Sequence, residues 1–322
     1  MKQNIHSILG IDIGGANLKV FTGDTVDLHY CPLWKESPIQ EILRSYLPTQ
    51  EVAVVMSGEL ADSFSSKMEG ISFIVQEVLS VFPHAQFYGI DGAFHKKPCI
   101  ELAAANWLAA CETFCEEFSQ AVLVDFGSTT TDIIPLKNAH ELIGYTDLKR
   151  LQNGYLLYLG MLRTPIATLI SEIMLHGVST TISTEFFANA ADAHLIMNTI
   201  TPALYTCERA DGGDTSYESC VRRISRVVCA DPDEIGEDGA RQIAKAFIER
   251  QKEIIVSGVE RIYTQIHASE IICAGIGAKM LSSWLTECGF VCHIPNYADA
   301  LPAYGVAMLL LKQKKGYFTT KR

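Results

Sequence analysis

Leu9-Gly10-Ile11-Asp12-Ile13-Gly14-Gly15-Ala16-Asn17-Leu18-Lys19 is the stretch on which the fold turns. The apolar, β-prone run from Ser7 to Ile13 reads as a buried strand, Gly14-Gly15 as a tight turn, and Lys19 to Thr22 as a returning strand. A strand that turns straight back into a strand is not the strand–loop–helix of a dinucleotide-binding unit. The pattern recurs at Leu123-Val124-Asp125-Phe126-Gly127-Ser128-Thr129-Thr130-Thr131-Asp132, where Asp125 aligns with Asp12 and Gly127 with Gly14. Two copies of strand–Asp-x-Gly–strand, each opening a part of the chain, predict an α/β protein of two lobes with like topology facing one another.

A length of 322 residues suits two lobes of that kind, each of ~150 residues. The expected division is 1–120 and 121–322, with a mainly helical insertion at about 148–235 and the last helix packing back between the lobes. Hydrophobic residues make up 48% and charged residues 20%, the balance of a globular protein. No apolar run reaches the ~18 residues of a membrane span, and Met1 to Ser7 lacks the basic-then-apolar build of a signal peptide. The expectation is a cytoplasmic protein without a membrane partner. A formal charge of −11 with no Lys/Arg stripe argues against nucleic acid. It leaves a phosphate ligand open, because backbone N–H groups and a metal hold phosphate without net positive charge. The ten cysteines form no Cys-x-x-Cys and no ligand-spaced cluster with histidine, so they read as reduced, mostly buried thiols.

Between the two hairpins the pattern gives a helix at Pro38 to Tyr46, a strand at Glu51 to Met56, a helix at Ala61 to Glu69 and a strand at Ile71 to Val75. Phe87 to Gly89 reads as extended and Cys99 to Phe118 as one long helix, rich in small residues that suit close packing. Beyond the second hairpin, helices are expected at Glu185 to Met197, Tyr217 to Cys229, Gly236 to Gln265, Met280 to Cys288 and Ala300 to Lys314. Strands are expected at Glu270 to Gly277 and Val291 to Ile294, and Asp211 to Ser216 must be a loop.

The first loop can turn its N–H groups toward one point, because Gly14 and Gly15 permit close approach to a ligand. Asn17 can offer an amide to a phosphate oxygen, Lys19 a charge, and Asp12 a ligand to Mg²⁺. A plain hairpin turn with an Asp cap fits the same residues. The second loop is more specific. Gly127 is followed by the hydroxyls of Ser128, Thr129, Thr130 and Thr131, flanked by Asp125 and Asp132. Two carboxylates cannot hold a phosphate unaided, so a metal or a proton must sit between. A third element, Cys273-Ala274-Gly275-Ile276-Gly277-Ala278, ends a strand in Gly-x-Gly before a helix. It suits a planar ring or a phosphate at the helix N-terminus, and a simple tight turn equally well.

Two Asp-x-Gly hairpins and a C-terminal Gly-rich loop resemble the ASKHA superfamily of actin, sugar kinases, Hsp70 and the hydantoinase A/oxoprolinase group, a ribonuclease H-like fold with a central cleft. A closer resemblance is to the archaeal and methylotroph family of tetrahydromethanopterin-linked one-carbon pathway proteins, which includes a synthase of methanofuran biosynthesis. The residues carrying it are Asp12 to Lys19, Ser57-Gly58-Glu59-Leu60-Ala61-Asp62, Glu101-Leu102-Ala103-Ala104-Ala105-Asn106-Trp107, Asp125 to Asp132 and Gly160-Met161-Leu162-Arg163-Thr164-Pro165, extended by Glu185 to Asp192 and Asp211 to Asp214. The resemblance implies a transferase that joins a furanmethyl diphosphate to the phenol of γ-glutamyltyramine and releases diphosphate.

On that reading Asp12 and Asp125 are catalytic and hold Mg²⁺. Gly14, Gly15, Asn17, Lys19, Gly127, Ser128, Thr129, Thr130, Gly275 and Gly277 bind phosphate, and Arg163 forks onto a carboxylate or the diphosphate. Asp132 or Glu59 takes the phenol proton. Plainer roles also fit: Glu59 as a helix cap, Arg163 in an ion pair, Asp211 and Asp214 as turn formers, Trp107 in the core, His95 and His267 without partners. The alternative activity on the same fold is an ATP-dependent small-molecule kinase or a hydantoinase-like hydrolase, with ATP less favoured than Mg²⁺ and diphosphate. A nucleotide-sensing regulator would need a reader module, for which the chain has no spare domain. The partners expected are small molecules, and the oligomeric state stays open, a homodimer included.

Overall fold

A computed structural model describes residues 8–35, 37–49 and 51–315, so Met1 to Ser7 lie outside the described residues. The first strands and helices are β1 (Ile8–Ile13), β2 (Asn17–Phe21), β3 (Val26–Tyr30), α1 (Ile39–Arg44), β4 (Glu51–Met56), α2 (Lys67–Val81), β5 (Gln86–Tyr88), β6 (Phe94–His95) and α3 (Asn106–Phe114). Next come β7 (Ala121–Phe126), β8 (Thr131–Pro135), α4 (Asp147–Asn153), β9 (Leu156–Leu157), β10 (Glu172–Leu175), β11 (Val178–Thr181), α5 (Ala190–Ile196) and α6 (Tyr217–Arg226). The chain ends in α7 (Pro232–Ile266), β12 (Glu270–Ala274), α8 (Ala278–Glu287), β13 (Cys292–His293) and α9 (Leu301–Lys314). Among the described residues no helix is long and apolar enough to cross a membrane.

Two compact units result. The first takes the chain up to Leu123, then Ile134–Asn153 and everything from Pro295; the second takes Val124–Ile133 and Gly154–Ile294. Helix α9 thus belongs to the first unit, and β7 and β8 each pass from one unit to the other within the strand.

The sheet of the first unit has the order β3-β2-β1-β4-β5-β6, and the other sheet the order β13-β12-β7-β8-β9. Starting from the third strand of each, β3-β2-β1-β4-β5 and β9-β8-β7-β12-β13 are the same arrangement, so the duplication in sequence is a duplication in topology. In the first sheet β1, β2 and β3 form an antiparallel meander while β4 and β5 run parallel to β1, as crossover connections require.

In β1 the residues alternate between two buried faces. Leu9, Ile11 and Ile13 join the core that Ile71, Ile74, Val75 and Val78 of α2 cover. Gly10 faces α9, and a Cβ there would lie 2.0 Å from the Ala303 carbonyl oxygen and 2.9 Å from the Ala307 methyl. Asp12, two residues on, shares the face of Gly10.

Three expected elements differ. Ile71 to Val75 is helix, because the Ser66 hydroxyl accepts the Glu69 N–H at 3.2 Å and starts α2 late, with apolar residues recurring at helical spacing. The long helix from Cys99 breaks at Ala104, which is left-handed at φ 49, leaving a 3₁₀ turn at Ile100–Leu102 before α3. The helix expected from Glu185 starts only at Ala190, where Asn189 and Asp192 form a reciprocal capping box. The β10–β11 hairpin, with Ile173 and Leu175 inward and Met174 outward, was read as no element at all. Five of the ten free thiols are buried, fewer than expected.

Gly10→Ala should therefore cost about 3 kcal/mol, the upper end of overpacking, because the obstacle is helix backbone that cannot rotate away. Gly15→Ala, with nothing within 4 Å of the added methyl, should leave stability unchanged; urea unfolding of both variants checks the pair.

Candidate functional site

Each hairpin loop closes on the same hydrogen bond. Gly14 N–H donates to the Asn17 carbonyl at 2.9 Å, and Gly127 N–H donates to the Thr130 carbonyl at 2.9 Å. In both, the segment following the third strand of the meander then straps the loop from behind. Leu33 and Cys31 N–H groups donate to the carbonyls of Gly15 and Ala16, each at 2.9 Å. Met161 N–H donates to the Gly127 carbonyl at 2.9 Å, and Leu162 and Arg163 N–H groups share the Ser128 carbonyl at 3.0 Å. A trans peptide points its N–H opposite to its C=O. With these carbonyls tied back, the N–H groups of Ala16 and Asn17 face away from the first strap, and those of Ser128 and Thr129 away from the second. Each loop thus turns two backbone N–H groups to the side away from its strap, an arrangement that suits an anion.

The first unit holds Asp12, Gly14, Gly15, Asn17, Lys19 and Glu59. Asp12 is buried in β1, directly across the strand pair from Lys19, whose Nζ lies 3.3 Å from Oδ2. Its other oxygen, Oδ1, is buried without a hydrogen-bond partner. A desolvated carboxylate oxygen of this kind is costly unless a cation or donor reaches it. The Asn17 side-chain oxygen is orphaned in the same way, and either end of an amide can be offered to a ligand.

Glu59 adjoins this loop through backbone. Ser57 and Gly58 N–H groups donate to the Ile13 carbonyl at 2.9 and 3.1 Å, and a Cβ on Gly58 would stand 2.8 Å from the Gly14 carbonyl. Gly70 of α2 makes room for Glu59, since a Cβ there would be 2.3 Å from the Glu59 carbonyl oxygen. Glu59 is not the helix cap that the sequence also allowed, because no helix starts near Leu60 and α2, capped by Ser66, begins only at Lys67. It is 1% exposed, and Oε2 has no hydrogen-bond partner. Burial pushes its carboxyl up to about 7; Asp147 adds to the rise, against the lowering effect of its own N–H, Lys67 and the Ala104 N–H.

The second unit holds Asp125, Gly127, Ser128, Thr129, Thr130, Asp132, Arg163, Gly275 and Gly277. Ser128, Thr129 and Thr130 are half-buried, while the Thr131 hydroxyl turns inward and donates to the Leu159 carbonyl at 2.6 Å. Asp132 follows on the opposite face of β8 and is buried. Gly160 lies flat on the loop, where a Cβ would be 2.4 Å from the Thr129 nitrogen. Its carbonyl accepts Gln251 Nε2 at 2.9 Å, and Gln251 Oε1 pairs with His194 Nε2 at 2.9 Å. Burial pushes His194 down to about 4, so it is a neutral spacer in this brace.

Gly275 and Gly277 are explained by contact with the second loop. At φ 83, a Cβ on Gly275 would lie 2.4 Å from Asp125 Oδ1, and one on Gly277 would lie 2.3 Å from the Phe126 ring. Gly277 N–H also donates to the Phe126 carbonyl at 3.0 Å. Gly277 thus packs directly on the Phe126 ring.

Two plainer readings change. Asp211 is more than a turn former, because it pairs with fully buried Arg223 at 3.1 Å, whereas Asp214 does shape its turn, accepting from Ser216 N–H at 3.0 Å. His95 has a partner, with Nε2 3.1 Å from both oxygens of Asp91. The straps behind the loops, and Ala104, Asp147 and Lys67 around Glu59, escaped the sequence reading. Alanine carries no signal for a left-handed turn, and Asp147 is distant in sequence. Among the described residues no three His, Cys, Asp or Glu side chains gather as a metal-ligand group; Mg²⁺ on a phosphate substrate needs only one or two carboxylates.

A family model described as hydantoinase/oxoprolinase matches residues 50–315. The chain is 37% identical over 324 residues to the (4-{4-[2-(gamma-L-glutamylamino)ethyl]phenoxymethyl}furan-2-yl)methanamine synthase of Methanocaldococcus jannaschii, covering 95% of this chain and 98% of that protein. A synthase of the same name from Methanococcus vannielii is 36% identical over 166 residues, covering 52% of this chain and 75% of its own length. Among solved structures, nucleotide-free acetone carboxylase superposes with a TM-score of 0.56 at 9% identity, covering 94% of this chain and 70% of that one. The likeness is one of fold alone, of the actin, sugar-kinase and Hsp70-like type.

Because Glu59 stays protonated to higher pH in the folded protein than in the unfolded chain, folding takes up a proton between about 4.5 and about 7. Its contribution is present at low pH and lost as pH rises through that window, a change of roughly 3 kcal/mol. Glu59→Gln lacks this titration. Urea unfolding from pH 4.5 to 8 should show Glu59→Gln gaining on the wild type as pH rises; a constant difference across the range would remove the assignment.

Proposed function

The chain belongs to the hydantoinase/oxoprolinase family and is an enzyme, and from that premise we propose that it is a transferase that condenses a furanmethyl diphosphate with the phenol of a γ-glutamyltyramine, releasing diphosphate in methanofuran-type cofactor biosynthesis. The observation that carries this reading is the pair of strapped loops, each with N–H groups turned outward. Backbone N–H groups held in place in advance are what an anionic leaving group needs.

In this reaction the bond between the furanmethyl carbon and the diphosphate oxygen breaks, and the phenol oxygen bonds to that carbon. The furan ring spreads positive charge from the carbon, so departure of the leaving group can run ahead of attack. The loop N–H groups and Lys19 stabilise the charge that grows on the leaving diphosphate. Mg²⁺, when bound, would be held by a hairpin aspartate, Asp12 of the first unit or Asp125 of the second, and would neutralise part of that charge; the orphaned Asp12 Oδ1 fits this role. The phenol, with a reference pKa of ~10, needs an acceptor for its proton, and we assign it to Asp132, on the hairpin with the hydroxyl row. Arg163, placed by the strap, would meet the glutamyl carboxylate or the diphosphate.

A kinase or ATP-dependent hydrolase would use the same loops but add an adenine site. The glycine pair that suggested one is explained by its contact with Asp125 and Phe126. Isothermal titration with Mg²⁺ and either diphosphate or ATP decides between them. Diphosphate should bind and ATP should not turn over; conversion of ATP to ADP in the wild type would reject the proposal.

Asp12→Asn and Asp125→Asn should each lower turnover by about 10³-fold with the fold intact, and a fully active Asn variant would remove the metal assignment. Asp132→Asn should lower kcat by about 10²-fold or more. That loss should shrink as the phenol is made more acidic by fluorine substitution, and a loss independent of phenol acidity would place the proton elsewhere.

A further inference from the structure

We propose that Glu59 recognises the primary ammonium of the furan substrate and so selects the amine-bearing diphosphate over neutral furans. This rests on the reaction proposed above, whose product class, a furan-2-yl methanamine, carries a primary amine in the names of both synthases.

Glu59 is buried to 1% exposure, yet Oε2 has no hydrogen-bond partner. Buried Asp192, by contrast, is paired, taking Arg223 Nε at 2.8 Å and the Tyr205 hydroxyl at 2.9 Å. A lone desolvated carboxylate oxygen is destabilising, and proteins retain such groups where a ligand completes them.

The surroundings are built around this side chain. Gly70 lacks a side chain where the Glu59 backbone passes, and Ala104 adopts the left-handed region at φ 49, a conformation that costs alanine about 1 kcal/mol. That strain turns the Ala104 N–H toward the Glu59 carboxyl. Ala104 lies two residues before α3, where Trp107 is buried with its Nε1–H also unpartnered.

The charged groups facing Glu59 are Asp147 and Lys67. The Asp147 carboxylate, which pairs with Arg150 at 2.6 Å, makes the position more attractive to a cation. Arg150 is committed to Asp147 and to stacking over the Trp107 ring at 5.0 Å. An ammonium offers three donors in a compact charge, the complement of a carboxylate with an open oxygen.

The position also suits a substrate with charges at both ends. Glu59 follows Gly58, which packs on Gly14 of the first loop. A furanmethyl diphosphate lying on that loop has its ring between the phosphates and the aminomethyl group. Glu59 is then a specificity residue, distinct from the acceptor of the phenol proton.

The test compares Glu59→Gln with wild type on the aminomethyl furanmethyl diphosphate and on an analogue with hydroxymethyl in place of aminomethyl. Gln keeps the shape and an acceptor for the Ala104 N–H. The ratio of kcat/KM for amine over alcohol should fall by about 100-fold in the variant, the size of a charged hydrogen bond, with most of the change in KM. Equal losses on both substrates, carried by kcat, would overturn the proposal and return Glu59 to proton transfer or to structure.

A second measurement is independent of turnover. In the presence of diphosphate, NMR titration with furfurylamine and furfuryl alcohol should show tighter amine binding to wild type and no preference in Glu59→Gln. Absence of the preference in wild type would overturn the Glu59 assignment. A preference without turnover of any furanmethyl diphosphate would instead sink the reaction and leave the amine site standing.

Discussion

A β-hairpin loop presents N–H groups to an anion only if its carbonyls are engaged elsewhere, and in this protein they are engaged by the chain that follows the meander. Pro32 separates Cys31 from Leu33, whose N–H groups hold the first loop, while Gly160 lets Met161, Leu162 and Arg163 hold the second. Planar peptides do the rest. Two segments with no sequence in common thus perform one task at equivalent places in a duplicated topology. Without them each loop would be an ordinary hairpin turn, with its peptide planes free to rotate.

Burial means opposite things at different carboxylates. Asp192 is fully enclosed and fully paired, with Arg223, Tyr205 and the Asn189 N–H meeting its oxygens. That network has a mechanical use. Asn189 caps α5, and the N–H groups of Ala190 and Ala191 donate to the carbonyls of Thr164 and Leu162 at 2.8 and 3.0 Å, fixing the far end of the second strap. Asp12 and Glu59 are as deeply buried, yet each leaves one oxygen unpartnered. An uncompensated buried oxygen costs on the order of 1–3 kcal/mol, so these two positions weaken the fold where the paired network is neutral or supportive.

Much of this was legible in the sequence, since a β–turn–β pattern with Asp-x-Gly at its bend is local information. The register Asp12↔Lys19 and the two Gly–carbonyl closures follow from the pattern at residues 12–19 and 125–132. The family motif at Gly160–Pro165 was visible without its purpose, because a strap is defined by what it crosses. Ile71–Val75 misled because a β-branched run of five residues fits strand or helix until Ser66 is seen to cap α2. The surroundings of Glu59 were invisible for a different reason. Ala104 adopts a conformation that its residue type disfavours, so tertiary packing alone decides it.

Two glycines shape the site through backbone packing. Gly10 lets α9 lie on β1 two residues before Asp12, and Gly275 lets the β12–α8 turn lie on Asp125 itself. In each unit an aspartate at a strand end is therefore clamped by backbone, with no side chain between that could repack. A rotamer can yield to a shifted neighbour, but a carbonyl in a helix or a strand yields only with its whole element. The two aspartates inherit that rigidity, and the reaction proposed above would draw on it, because donors and ligands that reorganise during departure give back the stabilisation they offer. The asymmetry between the loops then has room to matter. The first brings a cross-strand lysine to its aspartate and a buried Glu59 beside it, and the second brings a row of hydroxyls. Two copies of one rigid frame have been given different chemistry at their tips.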